Sequence, residues 1–226
     1  MYTEARTRFF EKELLKEVGR ISSEFSHELM GALQIVKNFV YLIEMNPNET
    51  SVFPEINEAI TRITTILDGF QEYYKGIEVL RLDENINSVV EQALTEYEAP
   101  SNVRVNVSLD PKVSDAHIDL RKIKKVLHIL LRTAVDAMPD GGNLTVETEE
   151  AKKDVVVRVT DTGEAIPEEV VDAIFRPFGS AARDGDGLSL ATCWSLVVGH
   201  DGDISFESKE GEDIAFIVKL PKEKLD

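Results

Sequence analysis

Apolar positions spaced for helices fill the first third of the chain. Over residues 3–44 they recur at steps of three and four, which predicts one long amphipathic helix. Its apolar positions are Phe10, Leu14, Val18, Ile21, Phe25, Leu29, Leu33, Val36, Val40 and Ile43. The segment MNPNETSVFPE then breaks the pattern with Pro47 and Pro54. A second amphipathic helix follows to about residue 74, and Gly76 ends it.

Two amphipathic helices with a short connector predict an antiparallel hairpin. The stripe of the second helix consists of Ile56, Ile60, Ile63, Ile66, Leu67 and Phe70. One hairpin cannot cover the stripes of both helices. We therefore expect a homodimer in which two hairpins form a four-helix bundle.

Beyond residue 76 the pattern becomes mixed. Strands are predicted at IEVLRL, NVRVNVSL, NLTVETE, DVVVRVTD, DISFES and IAFIVKLP, the third and fourth as a hairpin-like pair. Helices are predicted at ENINSVVEQALTEYE, DLRKIKKVLHILLRTAVDAM, PEEVVDAIF and LSLATCWSLVVGH. Runs of strands with helices on one face indicate an α+β sandwich rather than alternating βαβ units. The predicted domains are thus a hairpin, residues 1–76, and an α+β domain, residues 77–226.

Charge restricts the partners of this chain. Its 226 residues include 42 acidic and 25 basic side chains, for a formal net charge of −17. Such a surface repels nucleic acid and anionic lipid, so we expect neither as a partner. No apolar run is long enough to span a membrane, and the charged N-terminus is not a signal peptide, which favours a cytoplasmic protein. The single cysteine, Cys193, lies in an apolar run and is predicted to be a core residue.

A histidine next to a glutamate lies in the middle of the predicted first helix. His27 and Glu28 lie off the apolar stripe, so we expect the imidazole to face solvent. One ring nitrogen can act as a nucleophile if a carboxylate holds the N–H of the other nitrogen and takes its proton. The pair alone is more often simply solvated.

Two further segments are candidates for a nucleotide site. In VTDTGEAIP, Asp161 follows a strand and could accept the amine of adenine, while Gly163 lets the backbone approach the base. In GDGLSL, Gly185 and Gly187 precede a helix whose N–H groups could bind phosphate. By themselves, the first motif favours an ordinary turn and the second is a weak signal.

Taken together, these segments resemble sensor histidine kinases. FSHEL resembles their phosphoacceptor box, and LLRTAVDAMPDGG, VTDTGEAIP, IFRPF and DGDGLSLA follow the order of their N, G1, F and G2 boxes. The resemblance implies a phosphorylated His27, Glu28 as base, ATP and Mg²⁺ as cofactors, and the receiver domain of a response regulator as partner. It also implies that Thr133, Asp161, Gly163, Gly185 and Gly187 bind the nucleotide.

The same resemblance reveals departures in the nucleotide boxes. The two asparagines of the N box are replaced by Ile129, which cannot ligate a metal, and Thr133, a weak candidate ligand. Asp136 or Glu147 could substitute as metal ligands. The remaining departures are Ala165 in the G1 box, Ala182 with Arg183 in the lid, and Ser189 in the G2 box.

A departure in the phosphoacceptor box concerns the removal of phosphate from the partner. The family usually has Thr or Asn where this chain has Gly31, and then proline where it has Ala32. We therefore expect weak or absent phosphatase activity toward a phosphorylated receiver, together with a straighter first helix.

Three functions are compatible with these patterns. The first is a histidine kinase that phosphorylates His27 from ATP and passes the phosphoryl group to an aspartate of a response regulator. The second is a histidine phosphotransferase, or a pseudokinase scaffold, that relays phosphate through His27 without using ATP. The third is a structural dimerisation module.

Overall fold

The computed structural model describes residues 2–47, 51–75, 79–164, 166, 173–178, 188–208 and 213–222. Within these ranges the side chains are described from residue 16 onward, except that of Lys75. The chain divides into two compact units, Met1–Gly69 and Phe70–Asp226. The boundary predicted after residue 76 stays a prediction. None of the described helices is long and apolar enough to cross a membrane.

Two long helices account for the first unit. Helix α1 spans Tyr2–Met45 and helix α2 spans Phe53–Lys75, close to the predicted limits, with the end of α2 from Phe70 onward in the second unit. Helix α1 continues without a break through Gly31 and Ala32. The expectation that α1 is straighter than in the family stays a prediction.

The interior of the hairpin contains few large side chains. Its buried apolar residues are Ile21, Ala32, Val52, Ala59 and Ile66. Leu33, on the predicted stripe of α1, is 48% exposed in the single chain, while neighbouring Ala32 is 3% exposed. Ile60 and Leu67 of the predicted stripe on α2 are also exposed. The two helices therefore bury few of the described apolar side chains and leave much of each stripe open.

The second unit contains seven strands and three further helices among its described residues. They are β1 (Leu82–Asn85), α3 (Ile86–Glu96), β2 (Val103–Leu109), β3 (Asp115–Ile118), α4 (Leu120–Asp136), β4 (Gly142–Glu150), β5 (Asp154–Asp161), α5 (Ser189–Gly199), β6 (Asp203–Glu207) and β7 (Ile214–Pro221). Strands β1 and β3 form a two-stranded sheet. The other strands form a five-stranded sheet in the order β2-β4-β5-β7-β6.

The pairing corrects three details of the sequence interpretation. Strand β2 runs parallel to β4, so the large sheet is mixed. The strand predicted at IEVLRL is misplaced, since β1 begins at Leu82, the last residue of that segment. Strand β3 was missed, because four residues with a single partner strand give too short an alternation. Most of the helix predicted at PEEVVDAIF lies outside the described residues.

One face of the large sheet carries the core. Burial alternates along β5 from Asp154 to Asp161, so every second side chain points to the helices α3, α4 and α5. Helix α4 contributes Ile123, Leu130 and other fully buried residues to this core. Cys193 is completely buried, as predicted. The result is an α+β sandwich whose sheet ends, at Asp161, beside the last turn of α4.

Candidate functional site

His27 lies on the surface of the hairpin. Its side chain is 87% exposed, and its Nδ1 lies 3.9 Å from Glu28 Oε1. This distance is longer than a hydrogen bond, yet the carboxylate faces Nδ1 and leaves Nε2 directed to solvent. An imidazole in this setting can react through Nε2 while Glu28 receives the proton of Nδ1.

The second helix of the hairpin holds the other oxygen of Glu28. Arg62 on α2 donates a hydrogen bond from Nη2 to Glu28 Oε2 at 2.9 Å. The guanidinium and the imidazole thus face opposite oxygens of one carboxylate. Sequence reasoning missed Arg62, because it lies 34 positions away from Glu28 and only the pairing of the helices brings them together.

Asp161 ends strand β5 as a buried carboxylate. Its side chain is 1% exposed, and Oδ1 accepts a hydrogen bond from the backbone N–H of Gly163 at 2.9 Å. A Cβ on Gly163 would lie 2.6 Å from the carbonyl oxygen of Ala137 and 2.7 Å from Asp161 Oδ1. Only glycine therefore permits this close approach between the turn and the end of α4.

Thr133 lies one helical turn before Ala137 and on the same face of α4. Thr133 is 8% exposed, and its Oγ1 has no hydrogen-bond partner among the described residues. Leaving a buried hydroxyl unpaired costs about 1–3 kcal/mol, so the group is expected to have a partner. Ala137, on the same face of α4 as Thr133, lies next to Gly163. The unpaired hydroxyl of Thr133 is therefore on the face of α4 nearest to Asp161.

A cavity of about 350 Å³ lies along α4 further from Asp161. It is lined by Glu96, Tyr97, Lys125, His128, Ile129 and Arg132. Ile129, at the first N-box position, thus contributes an apolar wall where the family places a polar ligand. Burial raises the pKa of the Tyr97 hydroxyl, with the carboxylate of Asp136 as a second cause.

Arg132 connects α4 to the beginning of α5. Its Nη2 donates a hydrogen bond to Ser189 Oγ at 2.9 Å. Ser189 is the first residue of α5, and Leu188 before it has no polar side chain to cap the helix. A cation is thereby placed at a helix end that already carries partial positive charge.

Among the residues that the structure describes, the two N-box positions do not fit a magnesium site. The ion requires several oxygen ligands in octahedral geometry, and only Thr133 offers one at the two N-box positions. Glu147 is on the face of β4 opposite to its buried residues and points away from α4, so it cannot substitute. Across the described part of the chain, no cluster of three acidic, His or Cys side chains could hold a metal ion.

The remaining predicted site residues fall outside the described part of the chain. These are Gly185, Gly187, Ala165, Ala182 and Arg183. Gly31 is described, and a Cβ built on it would meet nothing within 4 Å. The weak phosphatase activity expected from Gly31 stays a prediction.

Comparison with known protein families identifies the second unit. Residues 118–224 match the family of histidine kinase-, DNA gyrase B- and HSP90-like ATPases. This match covers β3 to β7 and includes both Asp161 and Thr133.

Curated relatives extend the similarity over the hairpin. Sporulation kinase A of Bacillus subtilis (strain 168) is 30% identical over 93% of this chain and 36% of its own length. The sensor histidine kinase ZraS of Escherichia coli (strain K12) is 24% identical over 93% of this chain and 47% of its own length. The chain spans only 30% to 52% of the length of such relatives.

A solved structure covers nearly the whole chain. Histidine kinase ThkA, crystallised in complex with response regulator protein TrrA, superposes with a TM-score of 0.75 at 25% identity. The superposition covers 98% of this chain and 66% of the ThkA chain.

Proposed function

We propose that this chain, which belongs to the sensor histidine kinases by its ATP-binding domain, phosphorylates His27 from ATP and passes the phosphoryl group to a response regulator. The observation that carries the proposal is the exposed imidazole of His27 with a carboxylate at its Nδ1 side. The same chain supplies an ATPase domain with a buried aspartate at the end of a strand.

The first step transfers the γ-phosphoryl group. Nε2 of His27 attacks the γ-phosphorus, a P–N bond forms, and the bond to the β–γ bridging oxygen breaks so that ADP leaves with the electron pair. The proton on Nδ1 of the resulting imidazolium passes to Glu28. Arg62 stabilises the orientation of Glu28 through the oxygen that does not face His27.

The second step moves the same group onward. An aspartate oxygen of a receiver domain attacks the phosphorus, and the P–N bond breaks while Glu28 returns the proton to Nδ1, which regenerates neutral His27. The complex of the relative ThkA with the response regulator TrrA supports this class of partner. The exposure of His27 supports it as well, since a receiver must approach the ring directly.

Nucleotide recognition is assigned to the turn after β5. The buried carboxylate of Asp161 accepts the exocyclic amine of adenine, and Gly163 keeps the turn close enough to α4 for the base to lie flat against it. Gly185 and Gly187 remain proposed phosphate contacts. Thr133 offers its unpaired hydroxyl to the nucleotide.

Two copies of the chain form the working unit. Large apolar side chains stay exposed on both helices, among them Met30, Leu33 and Leu67. Pairing two hairpins into a four-helix bundle would cover these positions. The proposed homodimer therefore follows from the small interior of the single hairpin.

A phosphotransferase without ATP chemistry is the second candidate. Ile129 in the cavity wall and the absence of a fitting magnesium site favour it. In that case His27 receives its phosphoryl group from one receiver aspartate and donates it to another.

Incubation with γ-labelled ATP and Mg²⁺ separates the two candidates. We expect acid-labile, base-stable label in the wild type and none in His27→Gln. Asp161→Asn, which removes the adenine acceptor, should also lose the label while keeping the helical content seen by circular dichroism.

The control reaction supplies a phosphorylated receiver instead of ATP. If label enters His27 only from the receiver, the phosphotransferase is the correct function and the kinase is wrong. Label that persists in His27→Gln would refute both.

A further inference from the structure

We propose that Arg132 neutralises the phosphates of the bound nucleotide. It would replace the metal ion that Ile129 cannot ligate. Nucleotide binding by this domain is then independent of Mg²⁺. The inference rests on the proposed ATP site and adds a specificity-determining residue to it. Three features of α4 support it: the contact of Arg132, the wall formed by Ile129, and the hydroxyl of Thr133.

The position of Arg132 is the first argument. Its guanidinium bonds to Ser189 Oγ at 2.9 Å, at the start of α5. The backbone N–H groups of a helix's first turn favour an anion, and a guanidinium beside them adds a full positive charge and further donors. Arg132 also lines the 350 Å³ cavity beside α4.

The chemistry of the cavity is the second argument. Its lining includes the cations Lys125 and Arg132 and the carboxylate of Glu96, and Lys125 Nζ pairs with Glu72 Oε2 at 3.0 Å. Glu96 itself pairs with Lys124 Nζ at 2.6 Å, and this pairing lowers the pKa of its carboxyl. Glu72 and Glu96 are thus both matched by a lysine, which makes this a poor environment for a divalent cation.

The orientation along α4 is the third argument. Thr133 and Ala137 share the helix face that meets Gly163, beside Asp161. Ile129 lies one turn before Thr133, at the cavity. A nucleotide whose base reaches Asp161 thus extends its phosphates past the unpaired hydroxyl of Thr133 toward Arg132.

Titration calorimetry of the whole chain with ATP and adenosine, each with Mg²⁺ and with EDTA, tests this assignment. In the wild type, ATP affinity should change by less than about threefold on removal of Mg²⁺. Arg132→Gln should weaken ATP binding by about tenfold or more, since a hydrogen bond to a charged group is lost. Adenosine, which lacks phosphates, should bind equally to both proteins.

Matched variants separate a charge effect from other causes. Arg104→Gln removes the same charge on the exposed edge strand β2 and should leave ATP binding unchanged. Arg132→Lys keeps the positive charge and should recover most of the ATP affinity that Arg132→Gln loses. If the contact with Ser189 were purely structural, this recovery would not be expected.

Two results would overturn the inference: equal ATP affinity in Arg132→Gln and the wild type, or a loss of more than about tenfold in EDTA. Asp161→Asn distinguishes this failure from failure of the ATP site. If Asp161→Asn loses ATP while Arg132→Gln does not, the site stands and the role of Arg132 is wrong. If the wild type binds neither ATP nor adenosine, both proposals fail.

Discussion

The two units of this chain place their chemistry in opposite environments. In the hairpin, His27 is 87% exposed and only five of the described apolar side chains are buried. In the sheet domain, Asp161 is 1% exposed at the edge of a dense core. The proposed phosphoryl carrier is thus open to a second macromolecule, whereas the proposed adenine acceptor is enclosed. The same difference is why the proposed dimer involves the hairpin, whose large apolar side chains Met30, Leu33 and Leu67 are exposed in the single chain.

The largest expected effect is a contrast between two leucine substitutions. Leu130→Ala in the fully buried core of the sheet domain should lower the free energy of unfolding by about 2–5 kcal/mol at any protein concentration. Leu33→Ala, at a position 48% exposed in the single chain, should destabilise only a dimer. Its effect on the unfolding midpoint should therefore be largest at high protein concentration and shrink as dilution dissociates the dimer.

Urea unfolding followed by circular dichroism at two protein concentrations measures this contrast. A change within about 0.5 kcal/mol for Leu33→Ala at both concentrations would mark it as an ordinary surface residue. The comparison between the two units would then lose its explanation through dimerisation.

A smaller effect concerns His200, a completely buried histidine in the sheet domain. Its Nδ1 donates to the carbonyl of Leu196 at 2.6 Å, and its Nε2 accepts the N–H of Asp119 at 2.9 Å. Burial lowers the pKa of this ring, and the nearby charges of Arg81 and Lys122 lower it further, while Asp119 opposes them. The neutral ring thus joins the end of α5 to the start of α4.

The sign of the pH effect follows from that lowered pKa. In the unfolded chain the imidazole of His200 binds a proton at about pH 6.5, whereas in the folded chain it binds one only at lower pH. The contribution of His200 to stability is therefore complete above about pH 6.5 and is lost as the pH falls through the folded pKa. His200→Phe should remove this pH dependence and cost about 1–3 kcal/mol at neutral pH, because the N–H of Asp119 loses its acceptor. Parallel stability–pH curves for the two proteins would contradict the assignment.

The smallest effect tests whether the exposed site is positioned by its partner helix. Arg62→Gln releases one oxygen of Glu28, and we expect phosphorylation of His27 to slow by about twofold to fivefold, since an exposed ion pair contributes about 0.2–1 kcal/mol. The initial rate of labelling at His27 measures it. Arg20→Gln, which breaks ion pairs with Glu17 and Glu24 on the same hairpin, is the matched control. Equal rates for all three proteins would make the Arg62 contact irrelevant.

The elements that sequence predicted best are those with long, regular patterns. Helix α1 and strand β5 agree with their predicted limits because each repeats one period over its whole length. Strand β3 and the start of β1 were not predicted, since their pairing partner is distant in sequence and their pattern is too short. The parallel pairing of β2 with β4 was missed for the same reason.

For the site, the sequence identified side chains but not their partners. The pattern alone located His27 on the open face of α1 and Asp161 at the end of a strand, and motif order suggested their roles. It could not find Arg62 or the bond from Arg132 to Ser189, because both contacts join elements far apart in the chain.

The sequence by itself determined the division into a helical hairpin and an α+β domain and the residue types available for chemistry. Periodicity is a local property, so it survives without knowledge of the fold. Only the tertiary structure decided that Ala32 rather than Leu33 fills the hairpin, that Glu147 points away from α4, and that Thr133 keeps an unpaired hydroxyl. Those outcomes depend on which surfaces meet, and close packing between distant segments sets them.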